Sequence, residues 1–198
     1  MRSYRDNSNR TYDDYVRHQI TKTLDPKRRA KWVEGGIEWE EKLNGFYEIF
    51  NQYSDILSTC KTALCLGART GQEVVALQEM GIDAIGIDLV PYDPYVVRGD
   101  IHDLNYEDGG FDFLYTNIFD HSLHPELFCT EMMRVLKPGG HILINLQIDT
   151  HQDIYTETVL DGSHDVVTLM EGMEVIKDTE IPQNVHAMNW ELLFRKPE

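Results

Sequence analysis

The sequence predicts a doubly wound α/β fold: a mostly parallel sheet, a C-terminal antiparallel hairpin and an N-terminal helical cap. Three observations carry that prediction. Short apolar runs alternate with helical stretches between residues 61 and 146, a glycine-rich turn follows the first run, and an aspartate closes the second. Short buried strands alternating with helices imply βαβ units, and these need a parallel sheet covered on both faces.

The elements follow in order. Tyr12, Tyr15, Val16, Gln19, Ile20 and Thr23 recur at three- and four-residue spacing, which predicts an amphipathic helix over 11–24. Asp25-Pro26 offers an N-cap followed by proline at the first helical position of the next helix. Beyond Gly35-Gly36, Trp39, Leu43, Phe46, Tyr47, Ile49, Phe50 and Tyr53 mark a third helix, so residues 1–57 form a helical cap. Residues 58–198 then form one compact unit. Its strands are Ala63–Leu66, Ala84–Ile87, Tyr95–Val97, Phe111–Tyr115 and His141–Leu146, with helices over Gln72–Met80 and Pro125–Leu136. Gly81 stops the first of these helices, as a C-terminal glycine does. A helix near 161–170 precedes Met173–Thr179 and Asn189–Arg195, the two arms of the hairpin.

Composition narrows the function classes. The 18 Lys and Arg against 34 Asp and Glu leave a net charge of −16, which repels phosphate backbones. Nucleic acid and anionic membrane are therefore not expected as partners. The run Lys27, Arg28, Arg29 and Lys31 reads as a solvated helix face. No apolar core suits the N-terminus to a signal peptide, and nowhere do 18 apolar residues run together. Cys60, Cys65 and Cys129 form no C-x-x-C pair and read as reduced core thiols, so a cytoplasmic protein is expected.

The chemistry concentrates at Leu66-Gly67-Ala68-Arg69-Thr70-Gly71, between the first strand and the first helix of the sheet. Glycines there let the backbone turn sharply and approach a ligand. The spacing of Gly67 and Gly71 differs from the G-x-G-x-x-G of dinucleotide enzymes. Asp88 ends the second strand, 21 residues after Gly67, where a carboxylate can accept hydrogen bonds from both hydroxyls of a ribose.

These residues, with three further stretches, resemble the class I S-adenosylmethionine (SAM)-dependent methyltransferases, and within them the group called methyltransferase type 11. Ala63–Gly71 is similar to the first motif of that family, and Gly81–Asp88 to its second strand and ribose acid. Gly99–Leu104 is similar to its third motif, Glu107–Asp112 with Thr116-Asn117 to its fourth strand, and Arg134–Gly140 to the turn before its fifth. The resemblance implies a Rossmann-like fold with SAM as cofactor. It implies that Gly67, Ala68, Arg69 and Gly71 cradle SAM, that Asp88 and Leu89 meet the ribose side, that Asp100 and Ile101 meet the adenine, and that Asn117 completes the site.

Two departures from the family pattern stand out. Cys65 occupies the place of an acid two residues before the first glycine, and Arg69 replaces the middle glycine. The grip on the ammonium of the cofactor then falls to Glu73, Gln19 or the Arg69 backbone. Arg69 itself either reaches the methionine carboxylate or points to solvent.

Acceptors in this family sit beyond strands four and five, here Asn117–His124. No Asn/Asp-Pro-Pro-Tyr/Phe motif follows strand four, which argues against the nucleic-acid and glutamine N-methylating subgroups. His121, oriented by Asp120, is the candidate general base, with Asp120, His18 and Tyr115 next in line. Packing beside the cofactor is the competing role for His121. Asp120, His121, Asp149 and His151 follow no recognised metal-ligand spacing, so no metal is expected. The leading function is O-methylation of a small or sugar-like polar acceptor. The alternatives are a catalytically weak methyltransferase-fold protein that binds SAM or supports a partner, and a nucleotide sensor.

Overall fold

Period-two alternation along each central strand sends successive apolar side chains to opposite faces of one sheet. Leu64, Leu66, Leu114, Ile142, Ile144, Leu192 and Phe194 join one buried cluster, while Ala63, Cys65, Phe113, Tyr115, Leu143 and Leu193 join the other. Both faces therefore need helices, and the chain supplies them. The structure, a computed structural model, describes residues 1–3, 10–148 and 153–198.

In chain order the elements are β1 (Arg2–Ser3), α1 (Tyr12–Leu24), α2 (Pro26–Trp32), α3 (Trp39–Asn51), α4 (Ser54–Leu57), β2 (Thr62–Leu66), α5 (Gln72–Glu79), β3 (Asp83–Asp88) and β4 (Val96–Arg98). There follow β5 (Phe111–Thr116), a 3-10 turn at Phe119–His121, α6 (Pro125–Val135), β6 (Leu136–Leu146), β7 (Thr158–Val159), α7 (His164–Leu169), β8 (Glu174–Glu180) and β9 (Trp190–Arg195). The main sheet runs β4-β3-β2-β5-β6-β9-β8, with β9 antiparallel to both neighbours and the rest parallel. The chain winds outward from β2 to β4, then crosses back to β5 beside β2. That reversal opens a crevice at the carboxyl ends of β2 and β5.

The helices divide by what they cover. Leu43, Phe46, Phe50 and Leu57 of α3 and α4 share a core with Val74 and Leu77 of α5. On the opposite face, Phe128, Cys129, Met132 and Val135 of α6 pack with Val166 of α7. Helices α1 and α2 instead lie across the carboxyl ends of the strands. The expected cap over 1–57 is thus two things: α1 and α2 cover the crevice, and α3 and α4 belong to the sheet's own helical layer. The aromatic stripe of α3 explains this, because Phe50 has no exposure and must face the sheet.

Local chemistry accounts for the boundaries. Thr11 and Asp14 form a reciprocal capping box on α1, and the Asp25 side chain caps α2 through Arg28 N at 2.9 Å. The expected turn at Lys137–Gly140 is instead an irregularity within β6, since Phe111 pairs with Leu136 and Phe113 with His141. The short β1–β7 pair was not legible in sequence, because two residues carry no periodicity. No helix among the described residues is long and apolar enough to cross a membrane.

Candidate cofactor and acceptor site

The site is built from the turn after β2. Gly67 N and Ala68 N both donate to Ile87 O at 2.9 Å, and Arg69 N donates to the Asp88 carboxylate at 3.1 Å. The turn is thereby stitched to the end of β3. Gly67 has φ 77° and a Cβ there would meet Ile118 Cγ1 at 2.3 Å, so both its conformation and its surroundings demand glycine. Arg69 holds φ 49° without that excuse, a left-handed conformation costing about 1 kcal/mol in a side-chain-bearing residue.

Two cavities flank the turn and share Gly67, Arg69, Ile118, Lys22 and His121 as walls. The smaller, of 60 Å³, is lined by Tyr15, Gln19, Asp88, Leu89, Asp100 and Ile101, among others. Burial raises the Asp88 carboxyl above its ordinary value, although Val90 N also donates to it at 3.0 Å. Asp100 is opposite in sign. Burial pushes it up, but the ring and backbone N–H of His102 and the Tyr12 hydroxyl, which donates at 2.7 Å, hold it below the usual range. Helix α1 thus reaches over this cavity, with Tyr12 fastened to Asp100.

The larger cavity, of 220 Å³, lies beyond β5 and β6 and includes Trp32, Glu73, Asn117, Asp120, His121 and Lys22 in its wall. His121 Nδ1 lies 2.9 Å from Tyr155 O, an acceptor, so Nδ1 carries the proton and Nε2 is the free lone pair. Lys22 Nζ stands 2.6 Å from that Nε2. Burial lowers the Lys22 ammonium to about 8, with Arg69 adding to the effect. Burial likewise lowers His121, while Asp120, 3.8 Å away, pulls it up. The result is a neutral imidazole facing a lysine that loses its proton near neutrality.

Asp88, Leu89, Asp100 and Ile101 are together at the smaller cavity, and Asn117 and Asp120 at the larger. Gly67, Arg69 and His121 line both, and Ala68 the larger. Gly71 lines neither; it starts α5 at φ 84°, where a Cβ would strike Tyr95. Arg69 does not point to solvent, because its guanidinium lies 4.2 Å from the centre of the Trp32 ring. The substitute bases are engaged elsewhere. The Tyr115 hydroxyl donates to Asn145 in the core, and His18 Nε2 is bound to Ile154 O. Asp149 and His151 lie outside the described residues, and no group of three or more potential ligands gathers among the rest. The basic run is a solvated face only at Lys27 and Lys31, while Arg28 and Arg29 lie over the rings of Tyr155 and Tyr92.

Lys22 escaped the sequence reading. Lys22 shares a helix face with Tyr15 and Gln19, spacing that marks the covered side, but a lysine there reads as a solvated edge. Trp32 is fixed by Thr70 and Gln72, whose side chains both donate to its carbonyl.

Residues 64–144 match the family model for the methyltransferase domain. Among solved structures, the chain is similar to the 1,6-didemethyltoxoflavin-N1-methyltransferase of Burkholderia thailandensis, crystallised with 1,6-didemethyltoxoflavin and S-adenosylhomocysteine. The identity is 14%, over 94% of this chain and 89% of that one, with a TM-score of 0.71. The PH0226 protein of Pyrococcus horikoshii superposes with a TM-score of 0.66 at 16% identity, over 95% of this chain and all of that one. A SAM-dependent methyltransferase from Archaeoglobus fulgidus gives 0.61 at 13% identity, over 81% and 98% of the two chains. At such identities the likeness carries the fold and leaves the acceptor open.

Proposed function

We propose that this chain, whose residues 64–144 match the family model for the methyltransferase domain, is a class I SAM-dependent methyltransferase that methylates a hydroxyl of a small polar acceptor. Features of the chain fit the cofactor. Gly67 gives the turn the left-handed bend that lines both cavities, Asp88 presents a half-buried carboxyl to the smaller one, and the two cavities meet through shared walls. Asp88 would take the ribose hydroxyls, Asp100 and Ile101 the adenine edge, Leu89 its face, and Gly67, Ala68, Arg69 and Asn117 the remainder. When bound, SAM supplies an electrophilic sulfonium methyl.

What this chain contributes is alignment and the handling of one proton. The observation that carries the reading is the Lys22–His121 pair, 2.6 Å apart at the junction of the cavities. With an acceptor hydroxyl in place, the proton it gives up would pass to this pair and be held between Nζ and Nε2. Asp120 steadies the resulting charge, and Tyr155 O fixes the imidazole tautomer. A cavity of 220 Å³ suits a single small acceptor, a carbohydrate unit among them.

Turnover should fall on acidification through about pH 8, where Lys22 gains its proton. In Lys22→Met the limb should move toward about pH 6–7, where an imidazole alone titrates. His121→Asn should lower turnover roughly 10²–10⁴-fold with SAM affinity nearly intact. Release of S-adenosylhomocysteine across a panel of hydroxyl and amine acceptors is the primary assay. Turnover with amines alone would refute O-methylation. The scaffold reading, favoured by Cys65 and Arg69, requires no turnover and weak SAM binding in calorimetry.

A further inference from the structure

We propose that Glu73 and Arg69 form a zwitterion clamp for the amino-acid end of the cofactor, with Glu73 taking the ammonium and Arg69 the carboxylate. The inference rests on the cofactor assignment and is independent of the acceptor. It starts from a carboxyl and a guanidinium that line one cavity without pairing with each other. Glu73 sits in the first turn of α5, 5% exposed, and its carboxyl borders the 220 Å³ cavity. Among the described residues it has no ion pair within 4 Å, and its recorded hydrogen-bond partner is its own backbone N–H.

Arg69 is as solitary. Its guanidinium lies on the Trp32 ring and has no carboxylate at ion-pair distance among the described residues, although Asp88 and Glu73 are near enough to act on it through space. A buried carboxyl and a guanidinium, left apart at one cavity wall with no counter-charge at ion-pair distance, each lack a partner as they stand. A ligand carrying –NH₃⁺ and –COO⁻ on one carbon would neutralise both. The glycine turn and Asp88 place a nucleoside beside them, so the ligand class is a nucleoside with an α-amino acid tail.

Neighbouring residues agree. Burial raises the Glu73 carboxyl to about 8, so without a cation it is mostly protonated at neutral pH and ionises when an ammonium arrives. Cys65, fully buried at the end of β2, feels the Glu73 charge, which raises its thiol further. A second acid at Cys65 would set two carboxyls together in a dry pocket, where both cannot ionise. The neutral thiol avoids that conflict. Gln19 is not the substitute: its amide donates to Tyr155 O and Glu157, and it borders the other cavity. Lys42 is paired with Glu38 at 3.3 Å.

The test is calorimetry of the whole chain with S-adenosylhomocysteine, which has the amino-acid tail, and with 5′-methylthioadenosine, which lacks it. Glu73→Gln should weaken the first by about 10–100-fold, the loss of one charge-assisted contact, and change the second less than about 3-fold. Arg69→Gly should do the same without lowering the melting temperature of the free protein. In buffers of different ionisation enthalpy, the wild type should release a proton on binding S-adenosylhomocysteine at pH 7, and Glu73→Gln should not. Unchanged affinity in Glu73→Gln, or equal loss for both ligands, overturns the clamp. A wild-type chain that binds neither ligand overturns the cofactor assignment with it.

Discussion

At the scale of single residues, the site is defined by groups whose charge state the fold has shifted. Asp88 serves the structure and the ligand together, because its two oxygens accept from Arg69 N and Val90 N. Asp88→Asn is expected to weaken S-adenosylhomocysteine binding by about 1.5–3 kcal/mol, and unchanged affinity in a titration would remove the ribose assignment. Asp88→Ala should in addition lower the melting temperature, since two backbone donors lose their acceptor at about 1–3 kcal/mol. Arg69→Gly relieves a left-handed side-chain-bearing residue, so the free protein should gain up to about 1 kcal/mol while binding suffers. Glu73 gives a pH signature. Its folded value, about 8, lies above the ordinary 4.5, so its contribution to stability is complete below 4.5 and disappears as pH rises toward 8. Melting curves of the ligand-free wild type should therefore decline across about pH 5–8 more steeply than those of Glu73→Gln.

At the scale of elements, α1 is tied across the crevice by Tyr12 to Asp100, Tyr15 to His121 O and Lys22 to His121. The cavity beneath it, at 60 Å³, holds only a handful of waters at roughly 15 Å³ each. A purine needs more room than this, so α1 is expected to lift when one binds. Hydrogen exchange should then show Tyr12–Leu24 opening more readily than α3 in the free protein, and gaining protection with S-adenosylhomocysteine. Equal protection of α1 and α3 without ligand would sink that idea. The strands carry a second polar device. Glu191 of β9 accepts from Tyr53, Lys177 and Asn145, and Tyr115 completes the chain to β5. This links the turn between α3 and α4 to β5, β6, β8 and β9. Glu191→Ala removes the acceptor that Tyr53, Lys177 and Asn145 share, and should cost about 3–5 kcal/mol in denaturant unfolding.

At the scale of the whole molecule, a chain of net charge −16 gathers Lys22, Lys42 and Arg69 at one cavity. Exposed carboxylates outside and desolvated cations within make the crevice the place where a small anionic or zwitterionic group gains most. Duplex DNA and RNA should not be retained in a gel assay at physiological salt, and micromolar, salt-sensitive binding would overturn the small-acceptor reading.

How much of this was written in the sequence follows from how local each cause is. Strand and helix positions were legible because buried strands demand apolar runs and helices a repeating stripe. Ala84–Ile87 accordingly lies inside β3, and Gln72–Met80 nearly coincides with α5. The glycine turn and Asp88 were legible too, since their chemistry depends on neighbours a few residues away in one βαβ unit. The hairpin of β8 and β9 was readable from two strand-like runs near the end. The partners of His121 were not. Lys22 is 99 residues distant and Tyr155 another 34, and no period or motif links them. Nor could the sequence tell whether Arg69 faces water or Trp32, or that Glu73 has no cation beside it. Charge state in a protein depends on burial and on what stands within a few ångströms, and only the tertiary structure decides both.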